Sequence, residues 1–167
     1  SGEADPLCAY MLKNNPYIYG IISDDSDMLV FGSPRIMRKT INQQFTIIEL
    51  DKLLNKIELL IFNKLNIKTR FNINNLIDFS ILLGTDYGSF DLNQKCLDSW
   101  NILEYYILSD KNFKIMISSD QYEKFELIKN YYLNEDFINE CKNYLDKPKW
   151  NKPNFMDLKK RLLELDV

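Results

Sequence analysis

Five acidic residues fall where their type and spacing would let them work together. Glu3 and Asp5 open the chain; Asp25 and Asp27 follow the apolar run that ends at Ile21-Ile22; Asp86 closes Ile81-Leu82-Leu83-Gly84-Thr85-Asp86. Each group begins or follows a segment that reads as buried. That placement aims carboxylates at one edge of an α/β sheet, where such folds bind their ligands. The chain contains no His, so an oxygen-only donor set is what these residues offer. Such a set suits Mg²⁺ or Mn²⁺ rather than Zn²⁺. Two such ions, about 3.5–4 Å apart, would serve phosphodiester hydrolysis. Asp25 and Asp27, one residue apart, can face one ion, with Asp86 approaching from another element. Glu3 and Asp5 lie at a helix start, where backbone N–H groups favour phosphate.

Each group also has a plainer reading. Glu3 and Asp5 suit any acidic first helical turn. Ser23-Asp24-Asp25-Ser26-Asp27 suits a solvated turn, and Gly84-Thr85-Asp86 suits the end of a helix. An EF-hand is excluded, because no Gly stands at the sixth loop position and the twelfth from Asp25 is Ile36.

The elements that must position these acids follow from hydrophobic spacing. Residues 3–14 read as a helix with Pro6 in its first turn. Tyr17–Ile22 reads as a buried strand, Met28–Phe31 as one apolar turn, and 35–39 and 45–48 as two strands near a sheet edge. Leu53, Leu54, Ile57, Leu60 and Ile61 recur at helical spacing within 50–65. Asn72 is positioned to cap a helix over 73–83 that buries Leu76, Ile77, Phe79, Ile81 and Leu82. Helices are expected over 92–108, 120–132, 135–145 and 155–165. The aromatic groups Trp100, Tyr105, Tyr106 and Tyr131, Tyr132 read as helix core rather than base-stacking platforms. Arg35, Arg38 and Lys39 read as an exposed strand face.

Bulk composition bounds the function. With 46% apolar residues and 13% aromatic residues the 167-residue chain supports a real core. No apolar run is long enough to span a bilayer and no signal peptide is evident, so a membrane partner is not expected. Cys8, Cys96 and Cys141 lack metal-binding spacing and read as reduced, small buried residues. A net charge of −3 argues against wrapping nucleic acid by a broad cationic surface. It does not argue against a nuclease, since bound cations reverse the local field of a carboxylate cluster.

The acidic segments, in this order, resemble the internal nuclease region of the flap endonuclease family, the structure-specific 5′ nucleases. Glu3-Ala4-Asp5-Pro6 with Ser23-Asp24-Asp25-Ser26-Asp27 is most similar to the flap-endonuclease-like proteins of large DNA viruses. Phe31-Gly32-Ser33-Pro34-Arg35 and Trp150-Asn151-Lys152-Pro153 also match family segments. The resemblance implies an α/β fold, the C-terminal half of a PIN-like 5′-nuclease fold, with a parallel-sheet core followed by a helical region. It divides the chain into an internal nuclease region, 1–91, and a helical region, 92–167, packed on the same domain. It implies two Mg²⁺ ions, replaceable by Mn²⁺, held by Glu3, Asp5, Asp25, Asp27 and Asp86, with Asp24 a bystander. It places Glu3, Gly84 and Asp86 against DNA.

The implied activity is cleavage of flap or branched DNA in replication and repair, inside the cell, in the nucleus or at a viral replication site. The alternatives are a non-catalytic DNA- or partner-binding remnant and a 5′→3′ exoribonuclease of the same fold. Ser1-Gly2 resembles the tail of the family's turn before the acidic helix, and the resemblance implies a missing N-terminal half, with two more aspartates, the first strand and a DNA-threading arch, as the expected partner. Two family features do not match. The Gly-x-Gly turn that would hold a cation against duplex phosphates is replaced by Tyr87-Gly88-Ser89-Phe90, and no sliding-clamp peptide is seen.

Overall fold

The acid-bearing loops hang from a small sheet with helices packed around it. A computed structural model describes residues 4–41, 44–90, 92 and 98–133. In chain order the elements are α1 (Ala4–Asn14), β1 (Ile21–Ile22), α2 (Asp27–Val30), β2 (Arg35–Lys39), β3 (Phe45–Glu49), α3 (Leu50–Leu65), α4 (Ile73–Leu83), α5 (Ser99–Leu108) and α6 (Tyr122–Leu133). The architecture is α/β. Two 3₁₀ turns, Phe113–Ile115 and Ser119–Gln121, lead into α6.

The sheet order is β1-β2-β3. The expected parallel pairing is that of β1 with β2, in the register Ile21↔Ile36 and Ile22↔Met37. β2 and β3 add an antiparallel hairpin, from Arg35↔Glu49 to Lys39↔Phe45. The β1–β2 crossover contains the Asp25–Asp27 loop and α2, so the sheet itself sets where those acids emerge.

α4 is the central helix, packing against α2, α5 and α6. Its start is fixed by a reciprocal capping box: Asn75 N–H donates to Asn72 Oδ1 and Asn72 N–H to Asn75 Oδ1, both at 3.1 Å. It buries Leu76, Ile77, Ile81 and Leu82 as expected, with Phe79 half-buried, and it also buries Asp78. Ile36, Ile61, Phe71, Tyr106, Met116, Ile117 and Phe125 complete a core with almost no exposure. Phe113 and Phe125 stack at 3.9 Å and fasten α6 to the 3₁₀ segment.

Several expectations need correction. The strand read over Tyr17–Ile22 shortens to Ile21–Ile22, and Tyr17 is 89% exposed and Ile22 66%. Asn15 causes this, for it accepts the Tyr17 N–H on its side chain and the Ile18 N–H on its carbonyl, which bends the chain away from the ladder. α3 matches its expected span, but Leu60 faces solvent and only Leu50 and Ile61 are fully buried. The helix read from 92 begins at Ser99, because the Asp98 carboxylate caps it, accepting from Asn101 N–H at 2.8 Å. The helices expected at 135–145 and 155–165 and the Trp150–Pro153 segment lie outside the described residues, as do Glu3, Cys96 and Cys141. Among the described residues no helix is long and apolar enough to cross a membrane.

Candidate metal centre

Four of the five acids are described, and they come together from three segments. Asp5 lies in the first turn of α1, Asp25 in the loop after β1, Asp27 at the first position of α2, and Asp86 just past α4. α1 packs on β1 and α2, and α2 on α4, which carries the three segments to one side of the fold.

The loop is locally built to present its acids. Ser23 Oγ accepts the Asp25 N–H at 3.0 Å, and Asp25 Oδ1 accepts the Asp27 N–H at 2.9 Å. Such turns are the specialty of Ser and Asp. Ser23 N–H is tied to Met37 O of β2 at 3.1 Å, so the sheet anchors the loop's first residue. Arg38 Nη2 donates to Ser26 Oγ at 2.7 Å. That corrects the reading of Arg38 as a mere exposed strand face: it braces the loop from β2. Arg35 is also engaged, donating to Tyr19 O at 2.7 Å and lying over the Tyr19 ring.

Asp27 is the electrostatic centre. Burial pushes its carboxyl above the usual range, and the charges of Asp25, Asp86 and Asp5 push it further; a hydrogen bond from the Tyr132 hydroxyl opposes them. Like charges gathered around a partly desolvated carboxylate favour its protonated form. All four described acids therefore act on one point, and Asp24 does not figure among the charges acting there.

The donor set fits a hard divalent cation, being all oxygen, and such an ion would relieve the repulsion at Asp27. Asp25 and Asp86 are exposed while Asp27 is half-buried, so the group faces outward. Among the described residues no three acidic, Cys or His side chains stand close enough to enclose an ion.

Gly84 ends α4 with φ 101° and ψ 139°, a conformation suited to Gly. A side-chain carbon built there would meet nothing within 4 Å, so the backbone before Asp86 is bare on that side. Cys8, half-buried one turn along α1, has its thiol pushed up by burial and by Asp5.

Sequence reasoning missed Tyr132. Its hydroxyl donates to Asp27 Oδ2 at 2.9 Å across 105 positions of chain. The reading as helix core was half right, for the ring is 6% exposed and packs on Phe31. Asp78 was also missed. It is buried beside Lys129 and accepts from the Tyr106 hydroxyl at 3.0 Å. Its visible signal is an acid in the middle of the apolar run Leu76–Leu83.

Comparison with known proteins gives this geometry its context. Flap endonuclease 1 of Methanococcus aeolicus is 29% identical over 164 residues, which cover 97% of this chain and 44% of the relative. The probable RAD2-like endonuclease 369L of Invertebrate iridescent virus 6 is 29% identical over 177 residues, covering 92% of this chain and 39% of the relative. The chain thus spans less than half the length of either. The solved structure of flap endonuclease-1 from Methanococcus jannaschii superposes with a TM-score of 0.58 at 22% identity, over 78% of this chain and 36% of that one, a likeness of fold. Residues 1–86, which contain every acid of the candidate centre, match the XPG I-region, and the chain belongs to that family.

Proposed function

We propose that this chain forms part of a metal-dependent, structure-specific 5′ nuclease that hydrolyses phosphodiester bonds in flap or branched DNA during replication and repair. One observation carries the reading: Asp5, Asp25 and Asp86, from separate segments, all bear on the half-buried Asp27. Membership of the XPG I-region family and similarity to proteins named flap endonuclease support it.

In this reading Glu3, Asp5, Asp25, Asp27 and Asp86 hold two Mg²⁺ ions, with Mn²⁺ able to replace them. When bound, the ions supply an activated water and relieve phosphate charge. The residues of this chain do the rest. Asp25 and Asp27 present their oxygens from a loop locked by its own side-chain hydrogen bonds. Gly84 leaves bare backbone for the DNA strand beside Asp86. The family resemblance calls for two further carboxylates from an N-terminal half, which is then the protein partner of this segment. The site of action is the nucleus or a viral replication site.

The test is cleavage of a labelled 5′-flap duplex by the parent protein. Cleavage should require Mg²⁺ or Mn²⁺ and vanish with Asp27→Ala. Undiminished cleavage in excess chelator would sink the proposal, and binding without cleavage would favour a non-catalytic role.

A further inference from the structure

Tyr132 touches both acid-bearing segments at once. Its ring lies 4.8 Å from that of Phe31, which directly follows α2 and so closes the Asp27 turn. It lies 5.7 Å from the ring of Tyr87, the neighbour of Asp86. Its hydroxyl donates to Asp27 Oδ2 at 2.9 Å. The phenol has a single O–H to donate, and the Asp27 carboxylate accepts that hydrogen bond.

The position of Tyr132 is itself set from outside the acidic group. Lys129, one turn earlier on α6, pairs with Asp78 of α4 at 2.7 Å. The stacked Phe113 and Phe125 hold the same helix further back. Tyr132 is thus delivered on a rigid element to a point between two loops.

We propose that Tyr132 is a positioning residue: its hydroxyl fixes the Asp27 carboxylate while its ring, packed on Phe31 and Tyr87, sets the Asp27 turn beside the Gly84–Asp86 turn, so that both present their oxygens to one metal-binding centre. The proposal rests on the metal-site reading above. A phenol there solely to fill space could be replaced by Phe without consequence, because every ring contact would survive. A phenol that orients a ligand could not, since partners of metal ligands typically contribute about 10–100-fold to metal affinity.

The experiment compares the parent protein with its Tyr132→Phe variant, measuring Mn²⁺ affinity by electron paramagnetic resonance. Tyr132→Phe should weaken Mn²⁺ binding by about 10–100-fold. Tyr106→Phe is the control, for it removes a hydroxyl that serves a different carboxylate, Asp78. It should leave Mn²⁺ affinity unchanged. In an Asp27→Asn background the Tyr132→Phe change should add nothing further. Unchanged affinity in Tyr132→Phe overturns the inference, as does an equal loss in Tyr106→Phe or a fully additive loss with Asp27→Asn. Failure of the unaltered parent protein to bind Mn²⁺ would instead refute the metal-site reading itself.

Discussion

Asp78 and Lys129 form an ion pair whose disruption should be severe when one-sided and mild when complete. The carboxylate side chain is 7% exposed and the ammonium side chain 20%, with 2.7 Å between them. At an effective dielectric of about 20, their attraction is roughly 6 kcal/mol. Removing each ion from water costs several kcal/mol, so the pair's net contribution is close to nil. Burial accordingly wins at Asp78, whose carboxyl is held above its usual range despite Lys129 and Tyr106. Asp78→Ala leaves Lys129 beside apolar surface and takes the acceptor from the Tyr106 hydroxyl. It should lower the unfolding free energy by about 3–5 kcal/mol. Replacing the group together, as Asp78→Leu, Lys129→Met and Tyr106→Phe, removes every orphaned partner except the half-exposed Asn75 amide. That variant should lie within about 2 kcal/mol of the original. Urea titration followed by circular dichroism reads both values. A cost below about 1 kcal/mol for Asp78→Ala, or an equal cost for both variants, would refute the argument from desolvation.

Further predictions concern the acidic group and its flanks. Asp27→Ala or Asp86→Ala in the parent nuclease should cut flap cleavage by on the order of 10³-fold, the equivalent of roughly 4 kcal/mol of lost charge stabilisation; near-normal rates for Asp86→Ala would remove it from the site. Asp27→Ala should also raise the melting temperature in chelator, because Asp25, Asp86 and Asp5 lose a like charge to oppose; a lowered melting temperature would contradict that. Asp78 and Asp27 both have raised carboxyls, so on unfolding they release protons as pH rises. Their cost is absent below the ordinary carboxylate value, about 4, and grows as pH climbs through their folded values. Metal-free stability should therefore fall with pH just above about 4, and Asp78→Asn should flatten that slope in urea midpoints; an unchanged slope would argue against it. Gly84→Ala should cost about 1–3 kcal/mol from backbone conformation alone, since nothing stands within 4 Å to clash; an unchanged urea midpoint would show that the turn relaxes.

What was legible in the sequence depended on how far apart the interacting residues lie. α3 and α4 were readable with their limits because spacing and caps are local, Asn72 and Asn75 being three residues apart. The acids stand out in the sequence because each group begins or follows a segment that reads as buried. The strand at Tyr17–Ile22 was misread because β-propensity describes a half-buried surface, and whether Tyr17 has one depends on register with β2. Tyr132 was unreadable as a partner of Asp27. An aromatic on an amphipathic helix fills core in most folds, and no local rule spans 105 positions. Asp78 could have been found, because an acid inside an apolar helical run demands a buried partner.

The two unread residues also explain why α6 belongs to the site. Gathering three carboxylates around Asp27 is unfavourable in the absence of cations, and the local turn offers only Ser and backbone groups against it. The loop can hold its shape through Arg38 and Ser26, but Arg38 meets a hydroxyl there. Resistance to the acids' mutual repulsion must then come from an element anchored elsewhere. α6 meets that need, fastened by Lys129 to α4 and by stacked rings to the 3₁₀ segment, with Tyr132 at its end between the two loops. It follows that loosening α6 at Lys129 should disturb the acids more than loosening the exposed hairpin at Phe45, although neither residue touches a carboxylate of the centre.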